Sequence, residues 1–496
     1  MKKIAILLIS SALVLSSCSK WLEVEPQGQS TEDKLFSTQK GFKDALTGAY
    51  IRIKSDRLYG SNLGWGAVEQ MALNWDPLAS NVNNVNIALR AGRYSDEGVR
   101  EILDNIFEEN YKVILDVNGI LSKIDAKQSV FEKDYYELIK GESLALRALA
   151  HFEAMRMFGP VPSNPTSKKW LPYVKEITKD IHEGLDFRSF MQAILADLDA
   201  AEVLLAEHDP IRNYTFKELR PEGDKPFLID PFLSFRDTRL NYFSILALKA
   251  RVYQWMAAAD PQYGAEALKY AKLVIDATTK GQKVVRLGLD ADRVAGDYTM
   301  SPEHLFAIDM FKMDERMNGI FGEDGSLMRA DFGNSSSWFY LGNLFPANER
   351  NNDIRFKDMW FNKTKPGETG YVRYMKFMPR SADKINRIPI IRLSEMYLIA
   401  TEFAIDKQTA EQYYRVFADA KGFPFIAFTA GNWETDRRNK LIREYVREFY
   451  AEGKSFLNYK RLNVINLPSS WTNTYYVGSE ARYVVPKPLR EIDYNK

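Results

Sequence analysis

Cysteine is almost absent from this chain: Cys18 is the only one among 496 residues. A lone thiol rules out an intramolecular disulfide and a thiolate metal cluster. Histidine is nearly as sparse. His151, His182, His208 and His304 lie far apart, and none falls in an H-E-x-x-H pattern or another metal-ligand spacing. Net charge is missing too, since 67 basic residues face 66 acidic ones, and no run of like charge is long enough to form a tail. Nucleic acid is therefore not an expected partner. The sequence contains no G-x-x-x-x-G-K-[ST] phosphate loop and no G-x-S-x-G nucleophile elbow. Gly60 to Gly66 is glycine-rich but joins no clear strand to a helix, which argues against phosphate binding. After the first residues no apolar run is long enough to span a bilayer. Glu448 and Glu452 stand one helical turn apart with Arg443, Arg447 and Lys454 nearby. That grouping reads as a salt-bridge network, on the surface or structural, before it reads as a catalytic pair. No catalytic residue, metal or cofactor is expected.

What is present begins at the N-terminus. Lys2 and Lys3 precede an apolar run from Ile4 to Leu15, which is too short for a membrane span and suits the hydrophobic region of a signal peptide. The run closes on Leu15-Ser16-Ser17-Cys18, which resembles a bacterial lipobox. On this reading residues 1–17 are a lipoprotein signal peptide and Cys18 carries the lipid, with several acyl chains giving a stable anchor. The polar, proline-bearing residues 18–35 are expected to be a tether.

The remaining chain is large enough for an extensive core, being 45% hydrophobic and 13% aromatic. Leu138, Gly141, Ala145, Ala148, Phe152 and Met155 recur at steps of three and four, predicting a helix with one face small enough for close packing. The charged residues Lys140, Glu142, Arg147, Glu153 and Arg156 mostly fall elsewhere on it, and Gly159-Pro160 ends it. The same period predicts helices over 96–125, 187–207, 240–259, 264–279, 391–406 and 409–420, and Thr38 is placed to cap another. Paired in sequence order, these predict a mainly α fold: a tetratricopeptide-like helical-repeat scaffold, degenerate in sequence. Two stretches break the pattern. Residues 59–94 carry Gly60, Gly64, Gly66 and Gly92, a crowd of asparagines that includes Asn74, Asn81, Asn83, Asn84 and Asn86, and Trp65 and Trp75. Residues 284–390 lack sustained helical period and contain strand-like pieces, HLFAIDMF and YVRYMKF. The expected organisation is a helical body over 36–283 with an irregular binding segment at 59–94, an irregular loop-rich cap with short strands over 284–390, and a C-terminal part of the same body over 391–496. A separate small β domain at 284–390 is the alternative.

GESLALRALAHFEAMRMFGPVP resembles the helix of the form GEALALRAYYYFDLVRLFGDVPL in the SusD/RagB family, the surface lipoproteins of Bacteroidota nutrient-uptake systems. NYFSILALKARVYQWMAAAD, IPIIRLSEMYLIATEFA, LIREYVREFYAEGKSFLNYKRL and VPKPLREIDYN are similar to later segments of that family, in the family's order. The chain departs from the pattern at YYRVFADAKGFP, at Tyr445 and Val446, and at Lys454 and Asn458, which puts local salt bridges in doubt. The resemblance implies a lipid-anchored protein of the cell outer membrane, facing the exterior, that binds nutrient and passes it to a SusC-like TonB-dependent barrel transporter.

An oligosaccharide is the expected ligand and a peptide, as for RagB-like relatives, the alternative. A lipid-anchored glycan hydrolase and a scaffold binding only proteins are weaker alternatives. Sugars need flat aromatic faces plus amide, carboxylate or guanidinium groups for hydroxyls. The candidate binding residues on that basis are Trp65, Trp75, Asp76, Asn81 and Asn83 in the early segment, and Trp338, Phe339 and Tyr340 in the cap. Trp255, within a helical stripe, is expected in the core.

Overall fold

The structure is a computed structural model, and it describes residues 27–76, 84–221, 226–322, 325–327, 329–330, 342, 344–362, 371–378, 386–468 and 475–494. Cys18 and the expected signal peptide lie outside those residues. Part of the expected tether is helical, as α1 (Gln27–Leu35). Thr38 then caps α2 (Gln39–Ile53), its hydroxyl accepting from the Gly41 amide at 3.2 Å. Short helices α3 (Ala67–Met71) and α4 (Val85–Ala91) lie in the irregular early segment.

The body follows as α5 (Glu97–Ile124), α6 (Tyr135–Phe158), α7 (Phe187–His208), α8 (Tyr242–Ala257) and α9 (Tyr263–Ile275). Each packs on the next, so α6 contacts both α5 and α7, and α8 contacts both α7 and α9. The small-residue face of α6 explains the close approach to α7: a Cβ on Gly141 would stand 2.9 Å from Leu205 Cγ. Gly159 leaves the helical region at ψ 179°, one residue before Pro160, and α6 stops there.

The series continues after the cap with α11 (Leu393–Phe403) against α9, and α12 (Lys407–Lys421) against α11. Then α13 (Trp433–Glu448) and α14 (Ser455–Arg461) fold back, α14 reaching α3 of the early segment. This nearest-neighbour stacking is the mainly α, tetratricopeptide-like arrangement the periodicity predicts. Among the described residues no helix is long and apolar enough to cross a membrane.

Two short hairpin strands, β1 (Thr278–Thr279) and β2 (Gln282–Lys283), lead into the cap. The cap is tied to the body by β3 (His304–Asp309), antiparallel to β7 (Arg387–Arg392). Between them lie α10 (Met313–Phe321) and a small antiparallel sheet of β4 (Arg329–Ala330), β6 (Tyr371–Tyr374) and β5 (Trp360–Asn362), with β6 central. A pair β8 (Asn466–Pro468) and β9 (Tyr475–Val477) follows α14. Cap residues Phe306, Met317, Val372 and Ile390 share one continuous hydrophobic core with Phe42, Leu146 and Ile245 of the body, so among the described residues the cap shows no separate core of its own.

The charged residues of α6, off the small-residue face, are mostly interior as well. Glu142, Arg147, Glu153 and Arg156 are buried along with the apolar face, because other elements cover them and supply counter-charges. Glu142 meets Arg236 and Arg239 and accepts from the Tyr50 hydroxyl at 2.7 Å, while Arg147 holds Asp197 through two bonds of 2.7 Å. His151 is packed as expected. It donates from Nδ1 to the Arg147 carbonyl and accepts from the Val174 amide at Nε2, both at 2.9 Å, and burial pushes it down to about 3.

Candidate functional site

Residues 59–94 and the cap meet. Trp65 packs edge-on to Phe321 of α10 at 6.4 Å and tilts against Phe377 at 5.7 Å. Trp75 lies 5.6 Å from Phe321, 6.4 Å from Tyr374 of β6 and 5.1 Å from Tyr450, edge-on to the last. Trp360 of β5 completes the cluster, 4.5 Å from Tyr374 and 5.1 Å from Tyr450. Aromatic pairs at these separations add cohesion beyond the area they bury.

This geometry corrects the roles expected of two tryptophans. Trp65 and Trp75 are fully buried, and the Trp75 indole donates to the Trp65 carbonyl at 2.8 Å. Neither has a ring face open to a ligand, because α10, β6 and the chain after α13 cover them. Asp76 is also buried, at 2% exposure. Asn81, Asn83, Trp338, Phe339 and Tyr340 lie outside the described residues. Trp360, which the sequence reading did not single out, is the tryptophan of this cluster that keeps part of its surface exposed. Its indole Nε1 is buried without a hydrogen-bond partner among the described residues. The available signal was the strand-like piece YVRYMKF, in which Val372 and Tyr374 are buried and Arg373 between them only partly so, marking a strand whose partner had to be sought nearby.

Beneath the aromatics lies a buried ionic network built on the glutamates of α13 and the turn after it. Glu448 pairs with Arg392, with Lys421 at 3.2 Å and with Arg355 at 3.4 Å. Glu452 pairs with Lys376 and, at 2.8 Å, with Arg392. Glu303 pairs with the same Arg392 at 2.9 Å and with Lys421 at 2.5 Å. The carboxylates expected in a salt-bridge network do form one, and it is interior. Burial alone would raise Glu448, but Lys421, Arg392 and Arg355 hold it well below the usual carboxylate range.

The turn after α13 also locks the early segment. The Gly453 amide donates to Glu69 Oε1 at 2.9 Å, Asn74 Nδ2 donates to Ser455 Oγ at 2.9 Å, and the Tyr450 hydroxyl donates to the Asn74 carbonyl. Arg482, near the C-terminus, donates to the carbonyls of Met71 and Arg90 at 3.0 and 2.7 Å. Desolvation lifts Glu69 to about 7, opposed by its bonds from Asn74 and from the backbone of Ala451 and Gly453. No group of histidines, cysteines and carboxylates suited to a metal ion occurs among the described residues.

The consequence concerns the loop stems. The chain enters 77–83 immediately after Trp75 and Asp76. It enters 331–341 from β4 and passes through 363–370 between β5 and β6, and both strands pair with β6, whose Tyr374 touches Trp75. The stems of the early irregular segment and of the cap loops thus depart from one aromatic base.

In overall fold the chain resembles solved SusD superfamily proteins. A SusD superfamily protein from Bacteroides thetaiotaomicron superposes with a TM-score of 0.67 at 20% identity, over 92% of this chain and 98% of that one. A SusD-like carbohydrate binding protein from Bacteroides vulgatus gives 0.69 at 16% identity, over 92% and 97%. In sequence, the SusD-like family model described as "Starch-binding associating with outer membrane" matches residues 20–215. The SusD-like protein P38 of Formosa agariphila is 28% identical over 227 residues, which cover 44% of this chain and 39% of that relative. In sequence over residues 20–215, and in fold over most of its length, this chain is thus similar to SusD-like proteins.

Proposed function

We propose that this protein binds carbohydrate at the outer membrane, is anchored there through a lipid on Cys18, faces the cell exterior, and presents oligosaccharide to a SusC-like TonB-dependent transporter. The observation that carries the binding reading is the convergence of the early and cap loop stems on one aromatic base. Loops held on a rigid platform are where binding residues concentrate. The description of the matching family, starch binding with outer-membrane association, gives the ligand class. Asn81, Asn83, Trp338, Phe339 and Tyr340 remain the proposed ligand contacts on those loops, and Trp360 joins them as a partly exposed ring beside the stems.

The test is affinity electrophoresis of the full-length protein against a panel of glycans beside a panel of peptides. Retardation by at least one glycan is expected. Trp338→Ala and Trp360→Ala should each weaken it by about tenfold or more, since aromatic stacking on a ligand ring is worth about 1–3 kcal/mol by analogy with nucleobases. Binding only to peptides would move the function to the RagB-like alternative, and undiminished glycan binding by both variants would remove the site. Co-purification from membranes tests the delivery step, which fails if no β-barrel partner accompanies the protein.

A further inference from the structure

A small, partly open cavity lies where α6, α8, α11, α13 and α14 converge, apart from the aromatic base and its loops. It measures about 20 Å³, room for a single water-sized guest. Three of its lining residues carry a buried donor with no hydrogen-bond partner among the described residues: Arg156 Nε, Trp255 Nε1 and Asn458 Nδ2. All three residues are more than nine-tenths buried. The Asn458 amide is oriented by its neighbour, because Oδ1 accepts from Arg461 Nη2 at 2.9 Å, leaving Nδ2 as the unmatched end. The buried lining atoms that lack a partner are therefore all donors.

Charge points the same way. Arg156, Arg251, Lys454 and Arg461 line the cavity, with Glu395 as the only carboxylate among the lining residues. Glu395 is shared by Arg251 at 2.6 Å and Lys454 at 2.9 Å. Glu153 and Glu402 pair with Arg156 and Arg461 from behind, which still leaves the group one positive charge in excess. Unpaired buried donors and uncompensated buried charge are both costly.

We propose that this cavity is a binding site for a small monovalent anion, with chloride as the matching chemistry. A water would bring two lone pairs for three donors, and would need acceptors for its own protons. A halide accepts from all three donors and cancels the excess charge. Bound there, it would join the organising helix α6 to α8 and to the C-terminal α14, so it is a structural site, independent of the ligand loops.

The experiment has two parts, both on the full-length protein. Thermal unfolding is compared in sodium chloride, sodium bromide and sodium gluconate at equal ionic strength, and crystals grown in bromide are measured at the bromine absorption edge. Chloride and bromide should raise the melting temperature saturably by about 2 °C or more over gluconate, as expected for a ligand bound only by the folded state. An anomalous peak should stand within hydrogen-bonding distance of Arg156, Trp255 and Asn458. Trp255→Phe, which keeps an aromatic ring and removes one donor, should lose the halide dependence of melting. A peak without anomalous signal, meaning water, overturns the proposal. So does a bromide peak with no halide effect on melting, meaning binding at crystal concentration only. The wild-type map decides even if the variant does not fold.

Discussion

At the scale of single residues, charge placement is the least expected property of this molecule. Arg236 is fully buried and held between Glu142 and Asp209, the latter at 2.9 Å, and its two carboxylate partners hold its positive charge in place. Removing one partner of such a set strands the other. Glu142→Gln is expected to cost roughly 3–5 kcal/mol in denaturant unfolding, by leaving Arg236 and Arg239 short of a counter-charge. Glu69 behaves oppositely. Its folded value, about 7, lies above the unfolded carboxylate value of 4.5, so the folded state holds its proton more tightly. Glu69 therefore makes the protein lose stability as pH rises from about 4.5 to about 7, with no further loss above that range. Glu69→Gln should flatten this part of the curve, by up to about 3 kcal/mol across the range, read as the difference between the two proteins' unfolding free energies at each pH. A variant whose pH profile parallels the parent's would contradict that assignment.

At the scale of elements, the turn after α13 decides more than its length suggests. Gly453 adopts φ +71°, and a Cβ there would stand 1.7 Å from the Leu63 carbonyl oxygen. Only glycine allows the turn and the early segment to lie backbone against backbone. Gly453→Ala is thus expected to lower the melting temperature and to expose residues 59–94 to limited proteolysis, with cleavage there before cleavage within α5 or α6. Equal protection in both proteins would show that the segment is held by other contacts. The sequence displayed Glu448, Glu452 and Gly453 as a motif with nearby cations. It could not show that Lys376, Arg392 and Lys421 are the partners, because those residues come from the turn after β6, from β7 and from α12, remote in the chain. Helix positions were legible for a complementary reason: period and caps are local, and α5 occupies 97–124 where the pattern predicts 96–125.

At the scale of the whole molecule, one helix series carries one irregular cap, and a single core runs through both. Such a body should unfold in one transition rather than release the cap separately. Scanning calorimetry checks this, and a distinct low-temperature transition for residues 284–390 would contradict the shared core. The proposed membrane role adds a requirement at this scale. Cys18→Ala should remove the protein from the membrane fraction while leaving its glycan binding intact, because the loop stems lie on the body and not on the N-terminal segment. Retention of the variant in membranes would remove the anchor from the reading.

The sequence by itself determined the helices, their small-residue and aromatic faces, the interruption of the pattern at 59–94 and 284–390, and the family resemblance, since each depends on residues near one another in the chain. The tertiary structure alone decided that Trp65 and Trp75 support the platform from inside, that the charges of α6 are interior, and that Trp360 stays partly open. Those outcomes depend on which distant elements cover a side chain, and local sequence carries no record of that covering.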